Sequence, residues 1–120
     1  MAEGLLRHFG GDRYEVFSAG TVKTAVRAEA IEAMEEIGVD IGAQTSKSLA
    51  QYLGQEFDAV ITVCDDANDA CPVFPGARNR LHWSIPDPSR AEGSERDRMA
   101  AFRRARDDLQ ARITDEFISA

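Results

Sequence analysis

At 120 residues, 43% of them hydrophobic, the chain is long enough to bury a real core in one domain, and no second domain is expected. A formal charge of −7 offers no basic face to a nucleic acid, and the longest uncharged apolar stretch falls far short of a bilayer crossing. The N-terminus lacks the basic flank and apolar core of a secretory signal, so a cytoplasmic protein is expected, in which two cysteines stand as thiols or a transient redox pair rather than as a structural staple.

Taken in order, Ala2 to Phe9 carries Leu5, Leu6 and Phe9 at helical spacing and stops at Gly10-Gly11, so the chain opens on a helix. Tyr14 to Gly20, rich in aromatic and branched residues, reads as a short strand. Thr24 is a plausible N-cap for a helix running to Ile37, with Val26, Ala30, Met34 and Ile37 as its apolar stripe and Gly38 as its stop. Thr45 to Leu53 predicts a further short helix with Leu49, Tyr52 and Leu53 inward and Gly54 closing it.

Phe57-Asp58-Ala59-Val60-Ile61-Thr62-Val63 is apolar on successive positions rather than alternate ones, which predicts a strand buried on both faces, as in a parallel sheet covered by helices. Cys64 would then lie at its carboxyl end, where open α/β sheets build their sites. After an irregular stretch holding Pro72, Pro75 and Gly76, Arg80-Leu81-His82-Trp83 is a weaker strand candidate. Pro86 and Pro88 hold the next segment extended. Ser94 caps a long helix to about Phe117, whose stripe is Met99, Phe102, Leu109, Ile113 and Phe117. The order is that of an α/β protein lacking the strand that should precede its first helix, for which Met1 leaves no room.

Both cysteines fall in the stretch after the main strand, with six residues between them. A single cysteine at a strand end is most often inert core, whereas two so close raise a redox use. A helical turn starting near Asp66 would favour the Cys64 thiolate, while Asp65, Asp66 and Asp69 oppose it, so the sign of the pKa shift is open. A disulfide between Cys64 and Cys71 would force the segment to unwind, because helical spacing holds the sulfurs too far apart. A metal site is disfavoured: the pair lacks the short Cys-x-x-Cys pitch and His82, expected to pack beside Trp83, is the only nearby imidazole. The three aspartates lack the glycine and distal glutamate of a calcium loop and read as a solvated face. Asp87, between two prolines, is either a turn aspartate or a general acid on a stiff mount.

Several stretches together resemble the low-molecular-weight tyrosine phosphatase fold and, within it, the thioredoxin-coupled arsenate reductases. They are Met1-Ala2-Glu3-Gly4, Phe17-Ser18-Ala19-Gly20-Thr21, Ala30-Ile31-Glu32-Ala33-Met34 with Ile37-Gly38-Val39-Asp40-Ile41, Val60 to Cys64, Cys71-Pro72, His82-Trp83 and Asp87-Pro88. The cysteine pair separates the reductase branch from the plain phosphatases. The resemblance implies an α/β fold over a single domain, residues 1–120: a small three-layer parallel sheet of the low-molecular-weight phosphatase type, missing its first (central) strand and truncated at the N-terminus.

It also implies a thiol relay on arsenate or a phosphate-like oxyanion. A nucleophilic cysteine in a Cys-x5-Arg loop attacks the oxyanion, the thiol matching Cys64 attacks the adduct, and the thiol matching Cys71 closes a disulfide that thioredoxin reduces. Asp87 matches the general acid of the phosphatase branch, and Glu3 and Ser18 match residues supporting the anion loop. Lys47 stands where some members carry an acidic ligand of a monovalent cation, so its ammonium is expected to replace that ion; no cofactor and no metal are implied. Neither Cys64 nor Cys71 is followed by arginine at the required position, so these residues alone are expected not to turn over. Three readings remain: a reductase, a noncatalytic redox or arsenite-binding module, and, disfavoured by the cysteine pair, a plain phosphatase. Two bared strand edges would be paired in a homodimer or swapped assembly.

Overall fold

The structure, a computed structural model, describes residues 1–19, 27–44, 47, 49–65 and 76–118, the side chains of Asp12, Leu49 and Cys64 excepted. The expected opening helix is α1 (Ala2–Gly10), with Glu3 in its first turn and Arg7 in its last, charges that suit the two ends of the helix dipole. The predicted strand from Tyr14 is not one: residues 14–19 carry no strand pairing, although Tyr14 itself is extended. Aromatic and branched residues favour extended backbone, but a strand also needs a neighbour, and among the described residues this segment has none.

Helix α2 (Ala28–Glu35) starts after Arg27; the predicted cap Thr24 and Val26 lie outside the described residues. Ala30 and Met34 are buried as its stripe requires, and Gly38 leaves the helix at φ 79°, a left-handed conformation that any side chain would strain. Gly4 serves differently: a Cβ there would meet Ile41 at 2.5 Å, so its bare face lets α1 lie against the chain after α2. Of the next predicted helix, Thr45 to Leu53, residues 45, 46 and 48 lie outside the described residues; Leu49–Tyr52 is a 3-10 turn in which Tyr52 is buried, but Leu53, expected inward, is 55% exposed. Tyr52 and Phe57 instead pack edge-on with Phe17.

Strand β1 (Phe57–Cys64) starts where predicted and takes in Cys64 beyond the expected Val63, and the weaker candidate becomes β2 (Ala77–Ser84), paired parallel to it with Ile61 opposite Leu81 and Cys64 opposite Ser84. Among the described residues the sheet has these two strands alone. Ile61, Leu81 and Trp83 share the face that joins the apolar core of all three helices. The other face carries Asp58, Thr62, Arg78, Arg80 and His82. The expectation of a strand buried on both faces is therefore corrected: Val60, on the face away from the core, is half-buried, and on the core-side face itself Ile61 is half-buried and Val63 is 42% exposed.

Ser94 accepts a hydrogen bond from the Asp97 N–H while the Asp97 carboxylate takes the Ser94 N–H, the capping box that starts α3 (Glu95–Ile113). The helix runs on as a π-helical turn, Thr114–Ile118. Met99, Phe102, Leu109 and Ile113 are buried as predicted, while Phe117 is partly buried. At that end Tyr14 donates from its hydroxyl to the Phe117 carbonyl at 2.8 Å, Arg13 donates to the same oxygen, and the two rings meet edge-on.

One buried cation sits between α2 and α3. Arg106 donates through Nη1 to the Ala33 carbonyl and to Glu36, each at 2.8 Å, and through Nε to Asp107 at 2.9 Å. Arg103 adds three bonds to Glu36, from Nε to both carboxylate oxygens and from Nη2 to Oε2. The bonds from Arg103, then those from Arg106, hold the Glu36 carboxyl down to about 2. A helix normally leaves its last carbonyls unpaired, and here a side chain of the neighbouring helix takes one of them.

Candidate functional site

Because β1 and β2 run parallel, both end at the same edge of the sheet, and the chain leaving each strand carries an acidic residue there. Asp65 follows Cys64 directly. It was expected on a solvated face with Asp66 and Asp69; those two lie outside the described residues, but Asp65 is 8% exposed. Its Oδ2 accepts the backbone N–H of Asp87 at 3.0 Å, and that bond offsets the cost of burying a carboxylate. The tether therefore runs from the exit of β1 to the loop after β2.

Asp87 is itself well fixed. Its backbone is extended, at φ −70° and ψ 110°, which is the conformation that a following proline favours. Its Oδ1 accepts from the Ser89 N–H at 2.9 Å and the Ser89 hydroxyl at 2.7 Å, capping the 3-10 turn Pro88–Arg90, and Arg90 Nε lies 3.6 Å from Oδ2. The carboxylate is half-buried, so it keeps access to solvent. The turn reading of Asp87 is thus satisfied, and the stiff mount that an acid catalyst requires is present in the same geometry.

A second cluster forms at the leading end of α1. Glu3 is buried; the Ser18 hydroxyl donates to its Oε1, Arg7 Nε lies 3.1 Å from Oε2, and Lys47 Nζ lies 3.8 Å from Oε1. Arg7 also donates through Nη2 to the Val16 carbonyl, so the extended segment before Ser18 is held to the same helix face. Of the predicted site residues, then, Glu3, Ser18 and Lys47 come together around one buried carboxylate. An ammonium and a guanidinium balance that charge from opposite sides.

Asp87 belongs to the sheet edge with the backbone of Cys64, and Cys71 lies outside the described residues. His82 does not pack beside Trp83, because adjacent residues of a strand point to opposite faces. It is exposed and its Nδ1 lies 2.7 Å from the Thr62 hydroxyl, whereas Trp83 is 5% exposed in the core. Among the described residues no three histidine, cysteine or acidic side chains gather to hold a metal ion.

Sequence reasoning missed Asp65, Arg7, Ser89 and Arg90. Arg7 was within reach, since Glu3 and Arg7 are four apart and so share a helix face. Asp65 carried no such signal, because its partner is a backbone N–H far along the chain.

Residues 1–118 match the model of a family described as low molecular weight phosphotyrosine protein phosphatase. The chain is similar to an arsenate reductase of Halalkalibacterium halodurans, 44% identical over 113 residues that are 94% of this chain and 81% of that one. It is also similar to an arsenate reductase of Bacillus subtilis, 39% identical over 115 residues, 96% of this chain and 83% of the other. Among solved structures, an arsenate reductase in its oxidized state superposes with a TM-score of 0.80 at 27% identity, covering 98% of this chain and 85% of that chain. An arsenate reductase in its phosphate-binding state gives 0.79 at 27% identity, covering 95% and 82%. With the α/β fold and parallel strand pair already described, this match over nearly the whole length makes the chain a member of the low molecular weight phosphotyrosine protein phosphatase family.

Proposed function

We propose that this chain supplies the resolving half of an arsenate reductase. The observation that carries the reading is the convergence at one sheet edge of the Cys64 position and Asp87, linked through Asp65, in a chain 37–44% identical to proteins named arsenate reductase. A phosphate-binding state among the similar structures supports a tetrahedral oxyanion as the ligand.

The chemistry balances as follows. A primary cysteine thiolate, cradled by a Cys-x5-Arg loop, displaces an oxygen of arsenate to form a sulfur–arsenic bond, and a proton donor neutralises the leaving oxygen; Asp87 is that donor. Cys64 thiolate then attacks the primary sulfur, the sulfur–arsenic bond breaks, and arsenic leaves as arsenite with the electron pair. Cys71 attacks the Cys64 sulfur, releasing the primary thiolate and closing a Cys64–Cys71 disulfide. Thioredoxin, a dithiol, returns both thiols and becomes a disulfide itself. Glu3 with Ser18 and Lys47 supports the anion loop from below, the Lys47 ammonium standing in for a monovalent cation.

The positions six beyond Cys64 and Cys71 are Ala70 and Ala77, so the primary thiol and its loop are not among these 120 residues. By themselves they do not turn over. A supplied segment bearing that strand and loop pairs with the outer edge of β1; in its absence a second copy covers the bared edge in a dimer, which brings no primary thiol. The test is single-turnover arsenite release by the purified chain with thioredoxin, alone and with a peptide carrying a strand and Cys-x5-Arg. Release only with the peptide is expected; full release by the chain alone refutes the division of labour. A Cys64–Cys71 disulfide that forms while the peptide never restores release favours the noncatalytic redox module instead, and sedimentation as a well-folded monomer at high concentration removes the dimer.

A further inference from the structure

We infer that Asp65 is a positioning residue for Asp87. The hydrogen-bonded register of β1 and β2 stops at Cys64 and Ser84, and beyond it the two chains need not stay together. Asp65 extends the connection: a carboxylate 8% exposed sends Oδ2 3.0 Å to the Asp87 N–H, which no strand pairing claims. A carboxylate is buried at such cost only when charge-assisted bonds replace its water, and here one such bond falls on the residue whose side chain is read as the proton donor.

The placement of Asp87 is divided between two sources. Ser89 and Arg90 act on its carboxylate from the turn that follows, and they would move with that turn. Asp65 acts on its backbone from the other strand and so fixes the turn relative to the sheet edge where Cys64 sits. Without Asp65 the local cap stays intact, but the capped turn as a unit loses its reference to β1.

The functional half of this inference rests on the reading of Asp87 as proton donor, whereas the tether can be measured without substrate. Hydrogen exchange of the Asp87 amide is followed by NMR in the unmodified chain, in Asp65→Ala and in Asp65→Asn, whose amide oxygen still accepts. Exchange at Asp87 is expected to rise about tenfold or more in D65A and to stay close to the unmodified chain in D65N, with strand amides such as Ile61 and Leu81 unmoved. Unchanged exchange at Asp87 in D65A, or an equal rise throughout both strands, overturns the tether.

Should D65A fail to fold, Asp65→Ser, with a hydroxyl too short to reach, gives the same comparison against D65N. In the peptide-completed reaction D65A is expected to lower kcat about tenfold with KM little changed, and D65N to restore it. An unaltered kcat beside raised Asp87 exchange overturns the positioning role. Unaltered turnover in Asp87→Asn sinks the proton-donor reading while leaving the tether standing.

Discussion

Replacing Glu3 tests the cluster at the leading end of α1 most directly. In Glu3→Ala the Ser18 hydroxyl loses a charged acceptor, a bond that stabilises by about 1.5–3 kcal/mol. The Arg7 pair, an i,i+4 contact with a half-exposed guanidinium, adds about 0.3–0.5 kcal/mol, and the Lys47 pair at 3.8 Å adds at most about 1 kcal/mol once solvent screening is counted. The loss in E3A is therefore about 2–4 kcal/mol. Glu3→Gln keeps an oxygen to accept from Ser18 and gives up only the ionic part, about 1 kcal/mol. Urea denaturation, with a slope of about 1–3 kcal/mol per molar, separates the two variants by at least about a third of a molar in midpoint. If E3A and E3Q lose the same amount, the Ser18 bond is not what Glu3 is buried for and the cluster has been misread.

Three further outcomes follow from the geometry. Arg106→Ala leaves the Ala33 carbonyl without its donor between two packed helices and is expected to cost about 2–3 kcal/mol by the same urea assay, with Arg106→Lys recovering part of it. Glu36 has a carboxyl held near 2, below its ordinary 4.5, so its pairing with Arg103 and Arg106 contributes stability in full above 4.5 and loses it as pH falls toward 2. Melting curves of the chain and of Glu36→Gln should accordingly differ most above that window and converge at its acid end. Mild oxidation should remove both thiols of the unmodified chain together, with a change in Trp83 emission, and leave Cys64→Ser and Cys71→Ser without an intramolecular bond; thiol counts and intact mass decide it.

Sequence alone reported best where a signal is local. The apolar run located β1 to within a residue, and Ser94 announced the start of α3, because cap and stripe are read within a few residues. It failed where the determinant lies elsewhere in the chain. The segment from Tyr14 has strand composition but no described neighbour, Leu53 follows a stripe that a 3-10 turn does not continue, and the burial of Asp65 depends on an N–H 22 residues away. The same holds for the site: Glu3, Ser18 and Lys47 were singled out through resemblance, whereas the Asp65 carboxylate meets a backbone N–H 22 residues on, a partner that no local pattern announces.

The grip of Arg13 and Tyr14 on the Phe117 carbonyl joins residues more than 100 positions apart. It couples the π-helical turn Thr114–Ile118 to the segment that leaves α1. Removing residues from Thr114 onward would release Tyr14, and with it the short run through Val16 that delivers Ser18 to Glu3. A truncation at Thr114 would thus be felt at the buried Glu3 carboxylate, and affinity tags are better spaced away from that turn by a flexible linker.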